Sequence, residues 1–504
     1  MESLSDTDWD VVISGTGLQQ SLFALALSRS GKNILHVDAQ GYYGQHEAAF
    51  SLQEVDAWAA RHASPDATGL FRAVEVTKAE DGLPSPRAYS LALAPQLIHA
   101  RSELLGKLVS SKAFRQIEFQ AVGSFFIFQR GTSKDATMPV LARIPSTRED
   151  VFSSTAIPVR AKRSLMKFLK FVLAYESEPQ AELWKPHADK PLAEFLASQF
   201  NLDATLQSYI ITLTLSLDGN IAVEDGLAVI SRHLSSMGVF GAGFAAVYPK
   251  WGGLSEVCQV GCRAAAVGGA VYMLGTGITG VAKRENESAW MDISLSNDTV
   301  VKTKKLVRGS ETSPEKAVCL TRTTAVVAAA LPKLFEAVVE GSPTPSATVI
   351  AFPTGSVSDG NGHTSEYPIY AMVHSSDTGE CPTGQCIVYL STISTASSKA
   401  LLETALLSLL HAATAVGGQA IPEVVYKLQY EQVGAKTPSL DVDEEGIVTF
   451  GAPVLDLAFR DTTLQPVRQA WEKLTGLAGE EADAEYYVFE DREGVDDEDD
   501  VFDG

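Results

Sequence analysis

The sequence predicts an α/β protein with an inserted all-helical domain, and three observations predict it. A β-α-β pattern opens the chain. A middle stretch changes its apolar period to 3.6. Glycine-rich strand-and-turn texture then resumes toward the C-terminal third.

The opening pattern is Asp10-Val-Val-Ile-Ser-Gly-Thr-Gly-Leu-Gln-Gln-Ser21, followed by Ile34-Leu-His-Val-Asp38. Val11 to Ile13 is an apolar run suited to a buried parallel strand. Gly15 and Gly17 make a tight turn, an apolar helix runs from Ser21 to Ser28, and Gly31 stops it. The second apolar run ends in an acid, Asp38. Dinucleotide sites use this order, with phosphates on the helix N-terminus and the acid on a ribose. The predicted fold is therefore a Rossmann-like FAD/NAD(P)-binding-type domain with mixed sheets. One position departs: Gln20 stands where a third glycine lets helix and strand approach closely. The motif alone leaves open a working nucleotide loop or a structural one that has lost its ligand.

The inserted domain is expected from Arg148 to about Ser236. Leu165, Phe168, Leu169 and Val172 share one helical face, as do Leu192, Phe195 and Leu196, and Tyr209, Ile210 and Leu213. Four or five helices are expected. Around this insert, Gln45 to Trp58 reads as loop and short helix, Pro65 to Pro86 as surface loop, and Ile117 to Gln129 as strand, turn and strand. Strands are expected at Val300 to Leu306, Thr348 to Phe352, Pro368 to Val373 and Cys386 to Ser391. Helices are expected at Ser397 to Val416 and Val467 to Leu474. The divisions are 1–130, first part of the Rossmann-like domain; 131–236, helical insert; 237–478, remainder with a β-rich region; and 479–504, a disordered acidic tail.

With 504 residues, 45% of them hydrophobic, the chain can bury a large core. A net charge of −22 argues against nucleic acid and against adsorption to anionic lipid. Cys258, Cys262, Cys319, Cys381 and Cys386 have no disulfide-framework spacing and no nearby histidines, so neither a disulfide scaffold nor zinc is expected. No apolar run reaches membrane-spanning length and the polar, acidic first ten residues are not a signal sequence, so a cytoplasmic protein is expected. GxSxG, HExxH, P-loop and CxxC motifs are absent. His36 lies in a strand and reads as a core group, and Glu224 and Asp225 read as acids at a helix start. No convincing catalytic set emerges.

The second informative stretch runs from Tyr248-Pro-Lys-Trp-Gly-Gly253 to Gly268-Gly269. Ser255 is a candidate helix cap, Glu256 suits the positive first turn, and Gly268 ends the helix. Glu256 and Arg263 are seven apart, about two turns, and share one face. They read either as a solvated pair or as a recognition surface for a protein partner.

Gly15-Thr-Gly-Leu18, Ser28 to Asp38 and Tyr42-Tyr-Gly44 together resemble the first signature block of the Rab escort protein and Rab GDP-dissociation inhibitor superfamily. Residues 248–269 resemble a later block, and the resemblance covers roughly residues 8–475. It implies a fold related to flavin oxidoreductases that acts without a cofactor, so Gly15, Gly17 and Asp38 become a vestigial loop. It implies binding of Rab GTPases in their GDP form through Tyr43, Tyr248, Glu256 and Arg263. Departures are present: Gln45 follows Gly44 where the family has glycine, and Ser255-Glu-Val-Cys-Gln259 replaces Gly-Glu-Leu-Pro-Gln, displaced by one residue.

The stretch Asp150-Val-Phe152 with Arg163 resembles the escort version of the family. That resemblance implies docking of the Rab geranylgeranyltransferase alpha/beta heterodimer on Phe152 and Arg163, with the chain as its non-catalytic accessory. It also implies shielding of the Rab geranylgeranyl lipid and transient delivery to membranes. Each buried CH2 is worth about 0.8 kcal/mol, so a free lipidated Rab would partition or aggregate. Phe168, Leu169, Val172, Ile211 and Leu213 are the groove candidates, and equally core candidates. A dissociation inhibitor and a flavin-dependent oxidoreductase are the alternative readings.

Overall fold

The computed structural model describes residues 4–64, 69–130, 139–145, 151, 159–284, 290–414 and 420–490. The opening β-α-β is present as strand Val11–Ser14, helix Leu18–Leu27 and strand Ile34–Asp38. The two strands pair in parallel, Val11 opposite Ile34. Nine of the helix's ten residues are buried, which explains why it is apolar all round rather than on one stripe. It packs against the helices Leu254–Val267 and Leu464–Thr475, and Trp471 Nε1 donates to Ala26 O at 3.2 Å.

Distant parts of the chain complete this layer. Its six-stranded sheet runs Val271–Leu274, Ile34–Asp38, Val11–Ser14, Leu306–Gly309, Val448–Phe450, Leu440–Val442. All pairs are parallel except the last. A ten-stranded, mostly antiparallel sheet forms the second layer. Its centre is built from Ala317–Val327, Cys386–Ile393, Ile369–Ser375 and Ala347–Phe352. The fold class is thus as expected, with mixed sheets and a helical insert.

The insert contains the helices Val159–Val172, Gln180–Trp184, Leu192–Phe200, Ala204–Thr214 and Val223–Ser236. Asp203 caps the fourth by accepting from Leu206 N at 2.9 Å. Phe168, Phe171, Phe195 and Phe200 form one ring cluster, with Phe168 and Phe200 centroids 5.2 Å apart. Each such burial contributes roughly 1.5–3 kcal/mol. This core is continuous with one face of the large sheet.

Four expectations change. Val140–Arg143 is a strand paired with Phe119–Gln129, so sheet structure extends beyond 130 into the stretch expected to be helical. Residues 119–129 are one strand without a turn. The stretch 65–86 includes Phe71–Lys78, an edge strand whose partly exposed pattern disguised it. Residues 479–490 of the expected tail are ordered. Gly479–Glu485 is helical, and Tyr486, Tyr487 and Phe489 are buried, with Tyr487 donating to Leu22 O at 2.6 Å.

Candidate functional site

The glycine loop keeps its geometry but is filled by its own chain. Gly15 has φ +91°, and a Cβ there would lie 2.4 Å from Nε2 of Gln45. A Cβ on Gly17 would lie 2.9 Å from Oε1 of the same side chain. Thr16 donates to Asp38 Oδ2 through both its N–H and its hydroxyl, each at 2.7 Å, and Gln40 N donates to Oδ1 at 2.8 Å. Asp38 therefore spends its lone pairs inside the loop. Glu47 Oε2 accepts from Leu18 N at 3.3 Å, so a carboxylate sits at the helix N-terminus where a phosphate would. Burial pushes the Glu47 carboxyl up to about 7. The Gln20 amide, in place of the third glycine, lies 2.2 Å from the position of a Cβ on Gly309. The remaining cavity is about 40 Å³, room for a few waters. These residues do not fit a dinucleotide.

The same loop now positions a surface. Gly44 N donates to Thr16 Oγ1 at 3.2 Å and to Thr16 O at 3.1 Å, which fixes the turn bearing Tyr43. Beside it runs the helix Leu254–Val267. Two glycines let that helix approach the opening one: a Cβ on Gly268 would fall 2.4 Å from Ser28 O, and one on Gly261 3.3 Å from Ser21 O. Gly253 occupies the N-cap, and Ser255 is buried inside the first turn, correcting the expected cap. Gly268 ends the helix as expected. Glu256, Gln259 and Arg263 form an outward row, with Arg263 exposed. Burial raises the phenol of Tyr43 and the carboxyl of Glu256, and the Arg263 guanidinium opposes both shifts. The structure thus brings Tyr43, Glu256 and Arg263 together.

Tyr248 is elsewhere. It is 1% exposed, and its hydroxyl donates to Glu380 Oε1 at 2.7 Å. Its strand, Ala246–Pro249, is buried at all four positions, so its side chain cannot face a partner. Phe152 lies outside the described residues. Arg163 is exposed on Val159–Val172, where Arg160, Arg163, Lys167 and Lys170 make an outward basic stripe. Among the groove candidates, Phe168 and Val172 are fully buried in the core, while Leu169, Ile211 and Leu213 are partly buried against it. The roomier space is a cleft of about 700 Å³ where the insert meets the sheet layers. Leu215, Leu217, Ile221, Val229, Leu455 and Leu457 supply its apolar walls. No described helix is long and apolar enough to cross a membrane.

Sequence reasoning missed Gln45 and Glu47 as the groups that fill the cradle. The signal was the departure at Gln45 itself, a bulky residue where the family has glycine.

Fold and site define a class: a Rossmann-like architecture whose glycine cradle is occupied by its own side chains beside an exposed helical platform. The GDP dissociation inhibitor family model matches residues 5–416, and the chain belongs to that family. Rab proteins geranylgeranyltransferase component A of Saccharomyces cerevisiae is 30% identical over 390 residues, 76% of this chain and 61% of that protein. Its Candida albicans namesake is 28% identical over 410 residues, 78% and 60%. The chain thus spans about three fifths of the length of these relatives. The crystal structure of RAB GDI from Plasmodium falciparum superposes with a TM-score of 0.67 at 18% identity, covering 94% of this chain and 99% of that one. An oxidoreductase from Methanosarcina mazei superposes at 0.56 and 12% identity, covering 92% and 100%. Both structural likenesses concern the fold.

Proposed function

We propose that this chain is an escort-type accessory protein that carries no chemistry of its own. It binds newly made, GDP-bound Rab GTPases, presents them to a Rab geranylgeranyltransferase alpha/beta heterodimer and escorts the lipidated product to membranes. The observation that carries this reading is the joined state of loop and platform. The cradle is filled, so its rigidity serves to hold Tyr43 against the row Glu256, Gln259 and Arg263. Likeness to component A proteins of two yeasts supports the escort branch.

The basic stripe supports a docking role for Arg163. Arg160, Arg163, Lys167 and Lys170 project from a helix with no acidic residue, on a chain of net charge −22. Such a local inversion of sign favours an acidic partner surface and speeds encounter with it. The lipid is better accommodated by the 700 Å³ cleft than by Phe168 and Val172, because that volume lies within the usual ligand range of about 300–1,000 Å³. A dissociation inhibitor is the second reading, favoured by the GDP dissociation inhibitor family model over residues 5–416.

An in vitro prenylation assay tests the choice. It combines unprenylated GDP-loaded Rab, the transferase heterodimer and labelled geranylgeranyl diphosphate, with and without this protein. Transfer that depends on the protein, and weakens with Arg163→Ala, supports escort. Binding of prenylated Rab without support of transfer indicates the inhibitor. Neither activity refutes both.

A further inference from the structure

Trp251 sits in the turn that leads into the platform helix. It is 46% exposed, yet its backbone is left-handed, with φ +66°. Bulky residues seldom adopt that region. The next two residues, Gly252 and Gly253, also have positive φ, at +131° and +64°. A run of three such residues would ordinarily be met by small ones.

The surroundings hold Trp251 in this conformation. Its N–H donates to Thr378 O at 2.8 Å, and its carbonyl accepts from Ser90 Oγ at 2.7 Å. Its ring edge lies over Gly379, where a Cβ would come within 2.4 Å of ring Cδ1. The Lys250 ammonium stands 4.7 Å from the ring centroid and is paired with Glu118 at 2.8 Å. Beneath the turn, Glu380 is fully buried and accepts from Tyr248, His374 and Tyr389 at 2.7, 2.7 and 3.0 Å. Strained residues persist only where their surroundings over-determine them, and they cluster at binding sites. A turn with a purely structural role would be served as well by glycine, which has no penalty at this φ.

We propose that Trp251 is an aromatic anchor of the platform and inserts into an apolar pocket on the bound GTPase. This rests on the GTPase-binding reading above. Continuity with the helix selects the occupant: Glu256, the first of the outward row, follows by five residues, and Arg263 lies about 10 Å further along the axis at 1.5 Å per residue. One globular partner covering about 800 Å² spans that length. Tryptophan is among the residues that dominate such interfaces.

The test measures affinity for unprenylated GDP-loaded Rab alongside Tm, for the parent chain, Trp251→Gly and Trp251→Asn. Both replacements tolerate a left-handed backbone. The expected result is affinity lowered at least tenfold with Tm at or above the parent value. Unchanged affinity in a parent that binds Rab overturns the anchor and leaves the function standing. A Tm that falls in both variants makes the residue structural and overturns it too. Weakened transferase binding with intact Rab binding assigns the ring to the other partner and overturns it. A parent that binds no Rab refutes the function, and the anchor with it.

Discussion

Arg263→Ala is the sharpest perturbation of the platform. Arg263 is exposed, so folding stability should move by no more than about 0.5 kcal/mol. Its charge acts on two neighbours at once, Tyr43 and Glu256. Truncating an arginine at the centre of an interface costs about 2–4 kcal/mol, or roughly 30- to 700-fold in Kd. A second signature comes from Glu256. Burial raises its carboxyl, and Arg263 is the group that opposes the rise. Without Arg263 the carboxyl titrates at still higher pH. If the ionised form binds Rab, the acid limb of the binding profile then moves to higher pH in the variant. Calorimetric titration of GDP-loaded Rab between about pH 5 and 8 reads both effects. Kd within threefold of the parent at every pH would show that the row is a solvated helix face and not a binding surface.

Three further outcomes follow from the interior. Glu47 has a folded value of about 7 against an ordinary 4.5, so the native state holds the proton more tightly. Its contribution is complete below pH 4.5 and is lost as pH rises to about 7, at most about 3 kcal/mol and less because the side chain keeps some solvent contact. Glu47→Gln should therefore flatten the dependence of Tm on pH across that window. Gln45→Gly removes the amide over Gly15 and Gly17 and relaxes a backbone at φ +43°. Tm should hold or rise, and equilibrium dialysis should still find no FAD bound, because Glu47 and Asp38 remain engaged. Phe168→Ala should cost about 3–5 kcal/mol in chemical denaturation, since the side chain is fully buried. A loss of lipidated-Rab binding with stability unchanged would instead return Phe168 to a groove.

Legibility in the sequence followed from how local each pattern is. The β-α-β was readable because its apolar runs, its glycines and its closing acid lie close together, and the insert helices because apolar residues repeat at a helical period. Two later strands of the parallel sheet were not, because Leu306–Gly309 and Val448–Phe450 are short and acquire strand character from neighbours far along the chain. Acidic composition hid the order at 479–490, although Tyr486, Tyr487 and Phe489 were the contrary signal. Tyr43, Glu256 and Arg263 could be placed on one surface by motif and spacing. Tyr248 was misplaced because a motif names a position and not the side of the sheet its ring occupies. Here both sides of that strand are covered.

The filled cradle and the platform belong to one physical change. In a nucleotide-binding loop, the glycines, the helix N-terminus and the acid all need an external ligand to satisfy them. Here Gln45 covers the glycines, Glu47 meets the N-terminus and Thr16 satisfies Asp38. The polar groups of the loop are thus met by the chain itself. Thr16 also accepts from Gly44 N through its carbonyl and its hydroxyl, and so links the satisfied loop to the turn that carries Tyr43. A surface carried by this turn gains from the link, because less entropy is lost when a partner docks on a turn already fixed.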